Sequence, residues 1–373
     1  MRREYGADVA TNSQNSRRAH PRPVGQDPGP EDRSPTLAEV AQHAGVSLAT
    51  ASRVLNGSVR QVGKRLQDQV LASAHELGYT PHALAQAVAK GTSPFVALVI
   101  GDIADPYFAS IAAGVTREAD RRRLMVTIAP TGADTAREIS VMAALQAQRP
   151  RALVVTPSRS LIEDFAGRAA ELMGQVARTG AGVGYLGGET SPDAEAGVRM
   201  LRIAGRSASA ELARALMRSG YRRFAVLSGP DDLATPRERA EGFVEAVRAA
   251  GYGDPLRLPG ALTRSGGREA AARLLAAADQ PPECIFAVTD MMAVGAMAAL
   301  REHGLRPGAD VAVAGFDDIE LLQDVRPALT TVALPLQEIG QQLLSLALDG
   351  QAPGPVHGEV RLRESTPRLS GVT

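Results

Sequence analysis

The chain has one cysteine in 373 residues, no tryptophan, and only 3% aromatic side chains. A single thiol, Cys284, excludes an intrachain disulfide and any metal site built from several cysteines. It begins the apolar run C-I-F-A-V and reads as a buried, inert thiol, a usage that fits a reducing cytoplasm. With so few aromatics, the core of a chain that is 44% hydrophobic must be built from Ala, Val, Leu and Ile. The formal net charge is +0, so any electrostatic sign of a nucleic-acid partner has to be local. There is no run of 18 or more apolar residues, and residues 1–35 lack the apolar stretch of a signal peptide. The expectation is a chain that neither spans a membrane nor is secreted.

Catalytic and cofactor motifs are equally scarce. The histidines form no H-E-x-x-H and no i,i+4 pair, and G-x-S-x-G, Walker A and Cys/His arrangements are missing. No metal, cofactor or catalytic residue is therefore expected. Gly182-x-Gly184-x-x-Gly187 matches the dinucleotide fingerprint in letters only. Gly188-Glu189-Thr190-Ser191-Pro192 follows it, not a helix start that could hold a pyrophosphate. Asp231-Asp232, in a Gly-Pro loop, reads as a turn.

What is present begins at Thr36. T-L-A-E-V-A-Q-H-A-G-V-S-L-A-T-A-S-R-V-L-N places Leu37, Val40, Ala41 and Ala44 at helical spacing before Gly45. Ser47 then caps a second short helix through Leu55. Two short helices joined by a tight glycine turn are a helix-turn-helix, whose second helix enters the major groove of DNA. Gly63–Leu77 carries Leu66, Val70, Ala74 and Leu77 on one face and supplies a third helix, stopped by Gly78-Tyr79-Thr80-Pro81. His82–Lys90 is helix-competent but too short to stand alone in water. Residues 1–35, rich in Pro, Gly, Asn, Ser and Arg, read as a disordered tail.

From Phe95 onward, apolar strand-like runs alternate with Ala-rich helical stretches. The runs are 95–100, 124–129, 152–156 and 183–186, then 223–227, 284–288 and 311–316. Continuous apolar strands between helices predict parallel sheets covered on both faces, here in two blocks. Ligands in such folds sit at the carboxyl ends of the strands, which points to the cleft between the blocks.

With head and body together, the chain resembles the LacI family of transcriptional repressors from about Thr36 to about Thr366. The head motif A-E-V-A-Q-H-A-G-V-S-L-A-T-A-S-R-V-L-N-G and E-L-G-Y-T-P-H-A-L-A carry most of the likeness. D-I-A-D-P-Y-F (102–108), R-E-R-A-E-G-F (237–243), F-A-V-T-D-M-M-A-V-G (286–295), D-V-A-V-A-G-F-D-D-I (310–319), L-T-T-V (329–332) and R-E-S-T (363–366) follow in order. The implied fold is α/β: an all-α helix-turn-helix head and a two-subdomain, doubly wound, periplasmic-binding-protein-like body. The head occupies 36–81, a hinge helix and linker 82–93, and an effector-binding and dimerisation body 94–373. Subdomain one is expected at about 94–188 and 333–350, and subdomain two at about 189–332 and 351–368. The chain should cross near 186–200, near 330 and near 350.

The resemblance implies a homodimer, or a dimer of dimers, on a pseudo-palindromic double-stranded operator. Leu48, Ala49 and Arg53 fall at the base-facing positions; the Arg53 fork can bond guanine O6 and N7, or else serve as a phosphate contact. Ser47, Thr50, Ser52 and Asn56 suit phosphate, and Thr36 caps the first helix and can touch phosphate too. Val88 falls where the family wedges a leucine into the minor groove; the alternative is packing between two hinge helices. Basic Arg53, Arg60, Lys64, Arg65 and Lys90 outnumber Glu39, Asp68 and Glu76 in this region.

For a small-molecule effector, sugar-like or another metabolite, the resemblance implies Asp105, Tyr107, Phe108 and Thr156 from subdomain one. Glu211, Phe243, Asp290 and Asp317 come from subdomain two. Asp317-Asp318 as a helix cap and Phe243 as ordinary core are the alternatives. The family's Asp-Asn and following Arg are replaced here by Gly205-Arg206 and Glu211, Thr289 stands where Asn is common, and Leu334 and Leu336 replace polar or aromatic residues, all of which weakens an inference to a sugar. Two other readings remain open: a solute-binding protein without gene regulation, and an α/β enzyme acting on a small metabolite.

Overall fold

The computed structural model describes residues 35–55, 62–80, 94–132, 134–191, 197–277, 280–351 and 354–369. Asn56, Arg60, Val88, Lys90, the hinge stretch 82–93 and all of the expected tail except Pro35 lie outside the described residues. Contacts divide the chain into two compact units, one ending at Gln86 and the other beginning at Ala87.

The first unit is helical: α1 (Leu37–His43), α2 (Leu48–Leu55) and α3 (Lys64–Glu76). Thr36 and Glu39 form a reciprocal capping box at the start of α1, satisfying two backbone amides that the helix itself leaves free. Its end is a Schellman turn: Val46 N donates to Ala41 O at 3.0 Å and Gly45 N to Gln42 O at 3.1 Å. That turn needs a left-handed residue, and Gly45 supplies it at φ +60°. Val40, Ala41, Ala44, Ala51, Val70 and Ala74 form the core. The Gln69 side chain donates to Ala44 O at 3.1 Å and ties α3 to the turn.

The second unit holds two parallel sheets. In the first, β1 (Phe95–Ile100), β2 (Met125–Pro130), β3 (Ala152–Val155), β4 (Gly182–Gly188) and β5 (Val198–Ile203) run in the order β2-β1-β3-β4-β5. Helices α4 (Pro106–Arg121) and α11 (Leu336–Asp349) pack together on one side. Helices α5 (Thr135–Ala147) and α6 (Glu163–Arg178) lie over the apolar layer of the other. The second sheet has β6 (Phe224–Leu227), β7 (Leu256–Leu258), β8 (Cys284–Ala287) and β9 (Ala312–Ala314) in the order β7-β6-β8-β9. Its helices pair as α7 (Gly205–Arg218) with α8 (Ala234–Ala249), and α9 (Arg264–Ala277) with α10 (Asp290–Glu302). The central strands are buried end to end, which explains their unbroken Val, Leu, Ile and Ala runs.

One strand departs from the expected division. Val198–Ile203 is the outer strand of the first sheet, in register with Val183–Gly188. The first crossing therefore comes after Ile203, and the boundary expected at 188/189 moves to about 204. Arg199 and Arg202 interrupt the apolar run of this edge strand, so it lacks the signature of a buried one. The later crossings are made by β10 (Thr331–Ala333), by the stretch around Val356 and by β11 (Glu359–Arg361). β10 and β11 pair antiparallel, and Val356 bridges Ile203.

The glycines of the false dinucleotide fingerprint serve packing. A Cβ on Gly182 would lie 2.1 Å from Ala347 O, and one on Gly184 2.8 Å from Leu343 O. Their bare backbone lets α11 lie directly on β4.

Candidate functional site

In the head, α2 divides cleanly. Ala51 is fully buried, while Ser47, Leu48, Ala49 and Arg53 are exposed and Thr50 and Ser52 half-buried. Ser47 is the N-cap: its Oγ accepts from Thr50 N at 3.1 Å and sits 2.8 Å from Thr50 Oγ1. Leu48, 53% exposed at the start of the helix, and exposed Arg53 further along are not part of a core face. Thr36 is committed through its hydroxyl and its amide to the capping box with Glu39.

In the body, a cleft of about 630 Å³ opens at the carboxyl ends of both sheets, a size suited to small ligands. From the first lobe, Asp105, Tyr107, Phe108 and Thr156 line it; from the second, Arg239, Thr289 and Asp317. Asp105 caps α4, accepting from Tyr107 N at 3.0 Å, and burial still raises its carboxyl above the ordinary value. Tyr107 and Phe108 meet edge to face at 5.0 Å. Burial, with Asp317 nearby, raises the Tyr107 phenol and keeps it neutral. Thr156 is buried and its hydroxyl donates to Val99 O at 3.0 Å.

The polar centre of the cleft is a buried ion pair. Arg239 Nη2 lies 2.9 Å from Asp317 Oδ1, each side chain 3% exposed. The guanidinium also donates to Val288 O at 2.8 Å and stacks 3.9 Å from the Phe316 ring centroid. Arg239 Nε and Asp317 Oδ1 are buried without a well-aligned hydrogen-bond partner. Asp317 Oδ1 is met by the guanidinium of the ion pair, and Arg239 Nε is left as a buried donor beside it. Burial pushes the Asp317 carboxyl well above its ordinary value, against the pull of Arg239.

Asp317 is held at φ +120°, followed by Asp318 at φ +57°. Its backbone is clamped to β10: Asp317 N donates to Val332 O at 2.9 Å. Neither aspartate caps a helix, since Ile319 precedes the short 3-10 turn. Asp318 instead pairs with Arg361 and Arg363, each at 2.7 Å.

Three expected cleft residues lie elsewhere. Phe243 is fully buried, stacked on Phe286 at 4.5 Å and edge-on to Phe224 at 5.5 Å, so it is core. Glu211 is exposed on α7 and does not line the cleft. Asp290 is fully buried behind it, accepting from Ile319 N at 3.0 Å and Thr331 Oγ1 at 2.7 Å. It braces α10 against β10, and burial raises its carboxyl to about 6. Leu334 and Leu336 are likewise buried core, not lining. Arg239 was not anticipated. Its signal was in the sequence: it shares the apolar stripe Pro236, Ala240, Phe243, Val247, where a charge demands a buried partner.

The comparisons with known proteins divide in the same way. The family model described as bacterial regulatory proteins, lacI family, matches residues 36–82, and a periplasmic binding protein-like domain matches 213–370. The transcriptional regulator CelR of Thermobifida fusca is 32% identical over 337 residues, covering 87% of this chain and 95% of the relative. The lac repressor dimer bound to operator and the anti-inducer ONPF superposes with TM-score 0.74 at 25% identity, covering 90% of this chain and 100% of that one. A CelR–cellobiose complex superposes with TM-score 0.61 at 28% identity, covering 89% and 99%.

Proposed function

The chain belongs to the lacI family of bacterial regulatory proteins, and from that premise we propose that it is a DNA-binding transcriptional repressor whose operator affinity is set by a small molecule in the body's cleft. The observation that carries the DNA half is the exposed Leu48, Ala49, Arg53 face of α2 opposite buried Ala51. Leu48 and Ala49 offer shape and thymine-methyl contact, and Arg53 offers the bidentate fork. Ser47, Thr50, Ser52, Asn56 and Thr36 serve phosphate, and Val88 the minor groove. The lac repressor is a dimer on its operator, and a homodimer on a pseudo-palindrome is the assembly proposed here. Exposed Met125 and Ile128 on the edge strand β2 are suited to cover by a second copy. The place of action is the cytoplasm, where the DNA is. Among the described residues no helix is long and apolar enough to cross a membrane.

The effector half rests on the cleft itself, which is lined by the Arg239–Asp317 pair. CelR binds cellobiose, and a polyhydroxylated ligand would hydrogen-bond to this pair here. Asp105, Tyr107, Phe108 and Thr156 form the opposing wall. No catalytic role is assigned to any of these groups.

The test is a duplex-binding assay on wild type and Arg53→Ala, with the operator found by footprinting the protein's own promoter region. Arg53→Ala should lower the preference for operator over random duplex by about 1–3 kcal/mol. An unchanged preference would defeat the assignment of α2 as the reading helix.

A further inference from the structure

A second cavity, of about 260 Å³, lies in the layer between the first sheet and helices α5 and α6. Ile139, Phe165, Met173 and Met200 give it apolar walls. On the α6 side, Ala166, Ala169 and Ala170 leave the space that larger side chains would fill. The space is open to solvent on one side, and for scale an apolar cavity of about 150 Å³ holds a benzene ring. This one has room for one substituted ring or a fused pair.

Its position relative to the cleft is the second observation. Thr135 and Glu138 line both spaces, so the first turn of α5 is a wall common to the two. The Tyr185 hydroxyl, on the opposite wall, is engaged by the Arg159 backbone. Glu138 and Arg159 both line this cavity, so its polar rim carries charges of both signs and favours neither an anion nor a cation.

We propose that this cavity is a side pocket of the cleft and takes an uncharged, one- or two-ring apolar substituent of a ligand whose hydrogen-bonding part sits against Asp105, Arg239 and Asp317. The inference rests on the reading of the cleft as an effector site, and it narrows the ligand class to two-part molecules such as aryl glycosides.

Indole probes the pocket alone. Calorimetry and melting curves on the full chain should show indole binding to wild type and to Arg239→Met. Ala169→Leu, which fills the pocket, should weaken that binding about tenfold or more. Ala166→Val, a smaller intrusion, should weaken it less and stands in if the leucine variant does not fold. No indole binding to wild type, or equal binding to wild type and both filled variants, overturns the pocket. Methyl and phenyl glycosides of a panel of sugars probe the linked spaces. For any sugar that binds, the phenyl form should be about tenfold tighter, and Ala169→Leu should remove that gain while leaving the methyl form unchanged. Equal affinity of the two forms overturns the proposal. Indole binding in the stated pattern with no glycoside bound keeps the pocket and discards the effector reading of the cleft.

Discussion

Arg239 and Asp317 do not respond alike to the loss of the other. A guanidinium cannot shed its proton, so Asp317→Asn leaves a buried cation facing a neutral amide, a loss of about 3–5 kcal/mol. Arg239→Met leaves an aspartate that can take up a proton, as its raised affinity for one already indicates. Arg239→Met should therefore cost less than Asp317→Asn in denaturant melts at pH 6, and its stability should fall as pH rises. The reverse order would mean that the pair is not the buried unit described here. Glu138 gives a second pH signature. Burial raises its carboxyl from 4.5 to about 7. The folded chain then holds a proton that the unfolded chain has released. Its contribution is fully present below about 4.5 and lost as pH rises through about 7, roughly 3 kcal/mol across that window. Glu138→Gln should flatten that part of the stability–pH curve. The apolar stripe around Arg239 shows that this charge needs a buried partner, but that the partner is Asp317, and that Glu138 is buried, depends on segments distant in the chain. The exposed positions of α2 were legible, because helical spacing places Leu48, Ala49 and Arg53 away from buried Ala51.

Among the elements, those with unbroken apolar runs match expectation to within a few residues: β1, β3, β6 and β8. β5 was missed because Arg199 and Arg202 disguise it. Arg199 in fact reaches out of the sheet and donates to Ala347 O at 2.6 Å, satisfying the carboxyl end of α11. The β4–α11 contact is where an element-level change should be felt most. Gly182→Ala places a methyl against backbone at Ala347 O, which no rotamer can relieve. The helix has to shift, and a loss of about 1–3 kcal/mol is expected, as for other overpacked cores. A thermal melt unchanged from wild type would show that α11 does not bear on β4 as described.

At the scale of the whole molecule, the body is one unit that the chain crosses repeatedly, and the cleft lies where its two sheets present their carboxyl ends. A ligand joining Asp105 of one lobe to Asp317 of the other favours one arrangement of the lobes. It can change operator affinity only through a difference in its affinity for the two arrangements. That coupling is reciprocal. If an effector weakens operator binding by some factor, typically about 5–150-fold, saturating operator must weaken effector binding by the same factor. Calorimetric titration of effector into free and operator-bound protein checks this. Equal affinity for both would sink effector control of DNA binding.

By itself the sequence determined the helix-turn-helix, the α/β alternation and the cleft at the strand ends. These follow from spacing, caps and apolar runs, which act over a few neighbouring residues. The tertiary structure alone decided that Phe243 and Asp290 are internal braces, that Arg239 meets Asp317, and that β5 belongs to the first sheet. Each depends on which segments distant in the chain come to share a buried surface, and in a buried setting the partner decides whether a charge or a ring serves the core or a ligand.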